Sequence, residues 1–246
     1  MKSFLAATAL SLAVIGSPLF AQAAPDAIKG VPPSNVSDRS ELAAKYPGIE
    51  EGSLRPEDPK ILCPFHRMLE RAGLYDSSKR DQMPLTVSII KIASYAHEFG
   101  CKVVGCGGVA TAASGGQLTQ GATTFGDVNV EALHKAFGLA HDCGLTFAKG
   151  GTTVSNEVRS KTLAALSSRA TSEGHLTLQD LEAVKENICA AQRVQNNPVG
   201  KTEVRLIYAF LGGKSRGYID YADVERFLHA ELPKTIGEPE AFDSSF

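Results

Sequence analysis

Residues 62–73 read LCPFHRMLERAG, and this stretch decides where the first helix of the chain begins. Its apolar residues recur at helical spacing, and Pro64 suits the first helical position because the N–H that it lacks would be unpaired there. Cys63 therefore becomes the N-cap, and its sulfur faces the positive end of the helix dipole, which lowers a thiol pKa. Such a thiolate can be a nucleophile, a redox centre or an axial ligand of haem iron. The alternative is an ordinary capping or disulfide cysteine.

The N-terminus of the chain has the pattern of an export signal. Residues 1–3 (MKS) precede an apolar run over residues 4–20, and residues 21–23 (AQA) form a small-x-small cleavage site. We therefore predict a signal peptide over residues 1–23 and a secreted, extracellular protein. No later segment is apolar enough to span a bilayer, so we expect no membrane partner. A net charge of −2 gives no electrostatic reason to bind nucleic acid.

All five cysteines lie beyond the predicted cleavage site: Cys63, Cys101, Cys106, Cys143 and Cys189. An odd number in an oxidising compartment leaves one thiol unpaired unless two chains are cross-linked. If the last four form two disulfides, Cys63 is the unpaired one, and three pairings of those four are open. A zinc site of Cys101, Cys106, His141 and Cys143 is a weaker alternative, because the spacings match no common zinc pattern.

Beyond an irregular N-terminal arm over residues 24–58, the apolar periodicity is helical. We predict one all-α domain over residues 59–237 and a short tail over residues 238–246. The predicted helices cover residues 63–73, 85–99, 130–139, 154–166, 178–188, 203–211 and 221–232. Thr177 and Asp220 are predicted to cap the helices that follow them. The stretch 105–126 is rich in small residues, which fits a long loop or a short, closely packed helix, and we favour the loop. No segment alternates clearly enough to predict a strand.

Two further positions combine reactive side chains with predicted helix ends. His141 follows the predicted helix 130–139, where a histidine can be a general base, a charge partner, a ligand or a plain surface residue. Glu203 opens an apolar helix, where the helix dipole favours a carboxylate. The functional alternative for Glu203 is a buried acid–base carboxylate whose pKa is raised by its surroundings.

Taken together, these motifs resemble the haem-thiolate peroxidase family of chloroperoxidases and unspecific peroxygenases. The matching motifs are Leu62-Cys63-Pro64, the stretch 130–142 that ends in His141-Asp142, Glu203 at the head of an apolar helix, and the Gly-rich turn and last helix of residues 212–233. Their order and spacing agree with the family over residues 60–237. The resemblance implies the single-domain helical fold of that family.

The resemblance also implies a cofactor and roles for particular residues. The Cys63 thiolate, followed by Pro64, would be the proximal ligand of haem b, and its electron donation favours O–O cleavage of a bound peroxide. Glu203 would take a proton from hydrogen peroxide and return it to the leaving oxygen, while His141 holds or charge-balances Glu203. The resulting ferryl intermediate would oxidise or oxygenate small organic substrates, or oxidise a halide. One branch of the family has an Arg seven residues before the Glu, but Asn196 stands there, so the short Glu–His type fits better.

The chain departs from the family at positions that help to hold magnesium against a haem propionate. Ala140 stands where the family has Glu, and Gly144 stands where it has Ser. This divergent chain therefore either lacks that ion or binds it through backbone and water alone. Two alternative hypotheses remain: a secreted non-catalytic helical protein that kept the scaffold but lost peroxide chemistry, and a thiol enzyme that uses Cys63 with a histidine.

Overall fold

The computed structural model describes residues 55–78, 82–98, 127–135 and 141–234, and the chain is mostly helical there, as predicted. In chain order the elements are α1 (Pro64–Arg71), β1 (Thr86–Ser88), α2 (Ile89–Glu98), β2 (Asp127–Asn129), a 3-10 helix (Leu133–Lys135), α3 (Asn156–Ser167), β3 (His175–Leu176), α4 (Leu178–Ala191), α5 (Pro198–Phe210), α6 (Gly213–Arg216), β4 (Ile219–Asp220) and α7 (Tyr221–Leu228). The predicted signal peptide, most of the predicted arm, Cys101, Cys106, the stretch 105–126 and the tail lie outside the described residues. None of the helices in the described ranges is both long and apolar enough to cross a membrane.

Four short strands form two antiparallel pairs, which the sequence analysis did not predict. In the first pair, Val87 of β1 lies opposite Val128 of β2. In the second, Leu176 of β3 lies opposite Ile219 of β4. Each strand has only two or three residues, so alternation of polar and apolar side chains cannot become visible in the sequence.

Several predicted helix starts are confirmed. Cys63 is the N-cap of α1, with Pro64 directly after it. Thr177 caps α4 in a full capping box, in which its hydroxyl accepts from the N–H of Asp180 and the Asp180 carboxylate accepts from the N–H of Thr177. Asp220 is the N-cap of α7, but its side chain makes no cap hydrogen bond. Of these three starts, that at Thr177 carries a side-chain cap, and Pro64 supports the start of α1 through its fixed backbone angle.

Other predicted boundaries are wrong. The predicted helix 85–99 begins only at Ile89, because the residues before it pair with β2. Within the predicted helix 130–139, the described part holds one 3-10 turn, and residues 136–140 lie outside the described ranges. Helix α5 begins at Pro198 and is capped by Asn197, whose side chain accepts from the N–H of Gly200. Glu203 therefore lies in the second turn of α5 and does not open the helix.

The helices pack in pairs around an apolar core. Helix α4 packs against α3 on one side and α5 on the other, and α7 packs against α1 and α3. The facing residues Leu181, Val184, Val204 and Val224 are fully buried. Burying each such side chain contributes about 1.5 to 3 kcal/mol to stability. This packing turns one face of α4 towards α5, and the candidate site lies between those two helices.

Arg67 anchors the residues that lead into α1. Its side chain is fully buried, and its guanidinium donates to the carbonyl oxygens of Ile61, Leu62 and Leu228 at 2.8, 2.9 and 3.0 Å. The same guanidinium pairs with the carboxylate of Glu57 at 2.6 Å. Because these partners come from the N-terminal segment and from the end of α7, Arg67 holds the position of the N-cap between them.

Candidate functional site

The Cys63 thiol is available for chemistry at the start of α1. It is half-buried and forms no disulfide. The sulfur makes no side-chain cap hydrogen bond to the first helical N–H groups. Pro64 occupies the first helical position and is buried, so it fixes the backbone directly after the thiol.

The pKa of the Cys63 thiol is raised above its ordinary value, and the prediction of a lowered pKa is wrong. Burial is the largest cause, and the negative charge of Glu203 raises the pKa further. The N–H groups of His66 and Phe65 and the charge of Arg67 act in the opposite direction without outweighing burial. The prediction considered the helix end and left out desolvation. At neutral pH burial therefore disfavours the thiolate form of Cys63, and a cation bound at the sulfur would favour it.

Cys143 and Cys189 form a disulfide, with 5.6 Å between their Cα atoms. This bridge agrees with one of the three predicted pairings, and Cys63 is unpaired, as expected from the odd cysteine count. The alternative zinc site is wrong, because the sulfur of Cys143 is already bonded. Cys101 and Cys106 lie outside the described residues.

The structure brings the two predicted catalytic side chains together. The Nε2 atom of His141 lies 3.5 Å from Oε2 of Glu203. The same carboxylate oxygen accepts a hydrogen bond from Nζ of Lys185 at 2.5 Å. Lys185 also donates to the carbonyl oxygen of Cys143 at 2.7 Å. We call Glu203, Lys185 and His141 the carboxylate cluster.

The pKa of Glu203 is lowered to about 2, so of the two alternatives for this residue the carboxyl group with a raised pKa is wrong. Burial alone raises the pKa of this carboxyl, but the ammonium group of Lys185 and the imidazole of His141 outweigh burial. At neutral pH the carboxyl group is therefore ionised. Since Glu203 lies in the second turn of α5, its charge is stabilised by these side chains and not by the helix dipole.

The sequence analysis missed Lys185, although a signal for it was present. Lys185 lies four residues after Leu181 and three before Ile188, so it shares the apolar face of α4 with both. Its side chain is fully buried. A lysine on a buried face requires a negatively charged or strongly accepting partner. That requirement predicts a carboxylate on the helix that packs against α4, and Glu203 on α5 supplies it.

Phe147 fills the space beside His141. Its ring packs against the imidazole with 5.3 Å between the ring centroids. A side chain at Gly144 would overlap the same ring. Because glycine has no side chain, Gly144 offers magnesium no side-chain ligand, and Phe147 occupies the space that a larger residue would need. Ala140 lies outside the described residues.

The imidazole of His134 also lies beside the Phe147 ring, with 6.0 Å between the ring centroids. Both of its ring nitrogens are shielded from solvent and have no hydrogen-bond partner within the described ranges. Burial lowers the pKa of His134, and the charges of Lys135 and His141 add to the effect. A shielded imidazole without a partner costs about 1 to 3 kcal/mol, so this position favours an added polar or anionic group.

A buried tyrosine and histidine lie next to the thiol. The Nδ1 atom of His66 and the hydroxyl of Tyr75 are 2.8 Å apart. Burial lowers the pKa of His66 to about 4, so the imidazole is neutral at pH 7. Which of the two groups donates is set by the tautomer of the imidazole: the phenol donates when the ring hydrogen is on Nε2. Burial also raises the pKa of Tyr75 well above its ordinary value, and the nearby Cys63 adds to the shift.

Replacing His66 with Asn is expected to reduce the acid sensitivity of the fold. An unfolded histidine titrates at about 6.5, whereas folded His66 titrates at about 4. Burial of His66 in its neutral form therefore contributes its full stabilisation above about pH 6.5. The free energy of unfolding declines by about 3 kcal/mol as the pH falls to 4, because the unfolded histidine binds a proton more readily than the folded one. Asn keeps an acceptor for Tyr75 but does not titrate. Urea unfolding at pH 7 and pH 4.5 should show a smaller difference for the variant than for the wild type, and equal differences would contradict this assignment.

A scan against models of protein families found no family that matches this chain, and a search of curated proteins found no similar sequence.

Proposed function

We propose that this chain is a secreted, divergent haem-thiolate peroxidase or peroxygenase with the single-domain helical fold of that family. Cys63 binds haem b, and the protein uses hydrogen peroxide to oxidise or oxygenate small organic molecules. The contact between His141 and Glu203 carries the proposal, because residues that the resemblance assigns to one acid–base pair lie 3.5 Å apart. The Cys143–Cys189 disulfide supports export, since disulfides persist mainly in oxidising compartments.

The residues around Cys63 fit haem iron. Burial disfavours an uncompensated thiolate, and a bound metal ion supplies the positive charge that deprotonates a coordinating thiol. In this proposal the Cys63 sulfur holds the iron. His134, whose ring nitrogens lack a partner among the described residues, bonds an anionic edge group such as a propionate. Thiolate-ligated haem, when bound, supplies the cleavage of the peroxide O–O bond.

Glu203 is the proton acceptor in this proposal. Its Oε2 atom is ionised at neutral pH, takes a proton from peroxide and returns it to the leaving oxygen. His141 and Lys185 orient this oxygen. A carboxylate with a pKa of about 2 is a weak base, and the ammonium group of Lys185 is a main cause of the lowered pKa. Lys185 is therefore a positioning residue that sets the basicity of Glu203.

Changing Cys63 to Ala is expected to abolish ligation of iron by sulfur. The reduced, CO-bound wild-type protein should absorb at about 450 nm, and Cys63→Ala should lose this band because no thiolate remains. Cys63→His is the matched control, since an imidazole still binds iron and the band moves to shorter wavelength. If wild-type protein expressed with ample haem shows no haem absorption, the proposal is wrong. An unchanged band in Cys63→Ala would also contradict it.

A second candidate is a secreted, non-catalytic helical protein that kept the scaffold and lost peroxide chemistry. The Lys185–Glu203 ion pair favours it, because ion pairs with a purely structural role also lower carboxyl pKa values. Haem binding without peroxide-dependent turnover would support this candidate. The raised pKa of Cys63 argues against the third hypothesis, a thiol enzyme, whose nucleophile needs a lowered pKa.

A further inference from the structure

We propose that Tyr75 and His66 form a proton-coupled electron-transfer site that connects the Cys63 side of the haem site to Tyr95. This inference rests on the proposed function, because hydrogen peroxide acting at the haem is the oxidant. The site lets one-electron donors be oxidised at a half-buried tyrosine, away from the haem itself. None of its three aromatic residues belongs to the carboxylate cluster.

The first support is a continuous line of side chains that starts at the thiol. Cys63 and His66 lie three residues apart on the first turn of α1, and Cys63 is near enough to Tyr75 to influence its pKa. The ring of Tyr75 lies 6.0 Å from that of His66 and 6.1 Å from that of Tyr95, measured between centroids. Tyr75 is only 1% exposed, whereas Tyr95 is half-buried. The line therefore runs from the core outwards.

The second support is the proton acceptor. A phenol loses an electron readily only when its proton has a base to go to, because the oxidised phenol is a strong acid. The Nδ1 atom of His66 lies 2.8 Å from the Tyr75 hydroxyl, within the range for direct proton transfer. In the tautomer with its ring hydrogen on Nε2, the imidazole presents a free electron pair on Nδ1 to that proton. Tyr95 donates instead to the carbonyl oxygen of Leu74 at 3.2 Å, which cannot accept the proton.

The electron and proton balance is as follows. Tyr75 gives one electron to the peroxide-oxidised haem site and its hydroxyl proton to His66, which leaves a neutral phenoxyl radical and an imidazolium. Tyr95 then gives one electron to Tyr75, Tyr75 recovers its proton from His66, and Tyr95 releases its own proton to solvent. A donor of the aromatic alcohol or amine class then gives Tyr95 one electron and one proton, which restores the phenol, and the donor leaves as a neutral radical. Each hydrogen peroxide takes up two electrons and two protons to become two waters, so it supports two such cycles.

The test uses haem-loaded protein mixed with hydrogen peroxide without organic substrate, followed by freeze-quench electron paramagnetic resonance. The wild type should give a neutral tyrosyl radical, and Tyr75→Phe should reduce its yield by about tenfold or more. His66→Asn retains the hydrogen bond but takes no proton, so it should slow radical formation by about tenfold. Tyr95→Phe should leave the radical on Tyr75 for longer. Tyr218→Phe is the control, because Tyr218 stacks on His175 outside this line and its loss should change nothing.

The absorption of the CO complex is recorded for each variant, so that two kinds of failure are distinguishable. A thiolate-type band together with an undiminished radical in Tyr75→Phe would overturn this inference and leave the proposed function standing. Radical formation in His66→Asn at the wild-type rate would overturn the role of His66. Protein without any haem band would overturn both. If Tyr75→Phe does not fold, wild-type protein in heavy water decides, since radical formation should slow by about twofold and an equal rate would contradict the proton transfer.

Discussion

Replacing Lys185 with Met is expected to lower the free energy of unfolding by about 3 to 5 kcal/mol, because it leaves the Glu203 carboxylate buried without its cation. The Lys185 side chain is fully buried and that of Glu203 is 18% exposed, so solvent screens the pair poorly. The variant also removes the donor to the Cys143 carbonyl. Urea unfolding at pH 7, compared with the wild type, measures this loss.

A surface pair on α3 provides the matched control for Lys185. Nζ of Lys161 and Oε1 of Glu157 are 2.6 Å apart, close to the 2.5 Å between Lys185 and Glu203, but the side chains of this pair are 66% and 75% exposed. Lys161→Met is therefore expected to leave the free energy of unfolding close to that of the wild type, because solvent screens an exposed pair. A Lys185→Met variant that is no less stable than Lys161→Met would show that Glu203 needs no buried cation.

The dependence on pH adds an independent check of the same pair. In the wild type the pKa of Glu203 is lowered to about 2, so the stability from its ionised form is present at neutral pH and is lost as the pH falls towards 2. Without Lys185, burial raises the pKa of Glu203, and acid relieves the cost of the buried charge. The stability difference between wild type and Lys185→Met should therefore shrink as the pH is lowered from 7 to 4. A difference that stays constant or grows would contradict the assigned charges.

The features that were predictable from sequence are those decided within one helical turn. The N-cap at Cys63 follows from the proline after it, and the capping box at Thr177 follows from Asp180 three residues later. The pattern of a cap residue followed by proline was also present at Asn197-Pro198, where α5 begins. The prediction instead began this helix at Glu203, and it therefore placed Glu203 in the wrong turn.

The features that were not predictable depend on partners distant in the chain. The lowered pKa of Glu203 comes from Lys185 on the neighbouring helix, and the raised pKa of Cys63 comes from burial by the surrounding core. No local pattern states how deeply a side chain will be buried. Capping chemistry alone therefore predicted the wrong direction for the pKa shift of Cys63, although it placed that residue correctly. The alternative of a raised pKa at Glu203 considered burial and left out the buried cation beside it.

The disulfide and Lys185 both hold the loop that contains His141 and Cys143. Cys189 lies four residues after Lys185, one turn further along α4. The disulfide joins this turn to Cys143, and Lys185 donates to the carbonyl oxygen of Cys143. His141 lies two residues before Cys143, so both links restrict the distance from its imidazole to Glu203. The geometry of the cluster is thus held by covalent and polar contacts together.

Replacing Glu203 with Gln is expected to lower kcat/KM for hydrogen peroxide by about 10² to 10⁴-fold, because it removes the proton acceptor but keeps an oxygen for Lys185. Peroxide-dependent oxidation of an aromatic donor measures the rate, and the CO-bound spectrum verifies that haem remains. Glu182→Gln is the matched control, since Glu182 pairs with Arg205 across the same two helices at 3.1 Å and is half-exposed. Unaltered rates in Glu203→Gln, with haem bound, would remove Glu203 from the mechanism and favour the non-catalytic candidate.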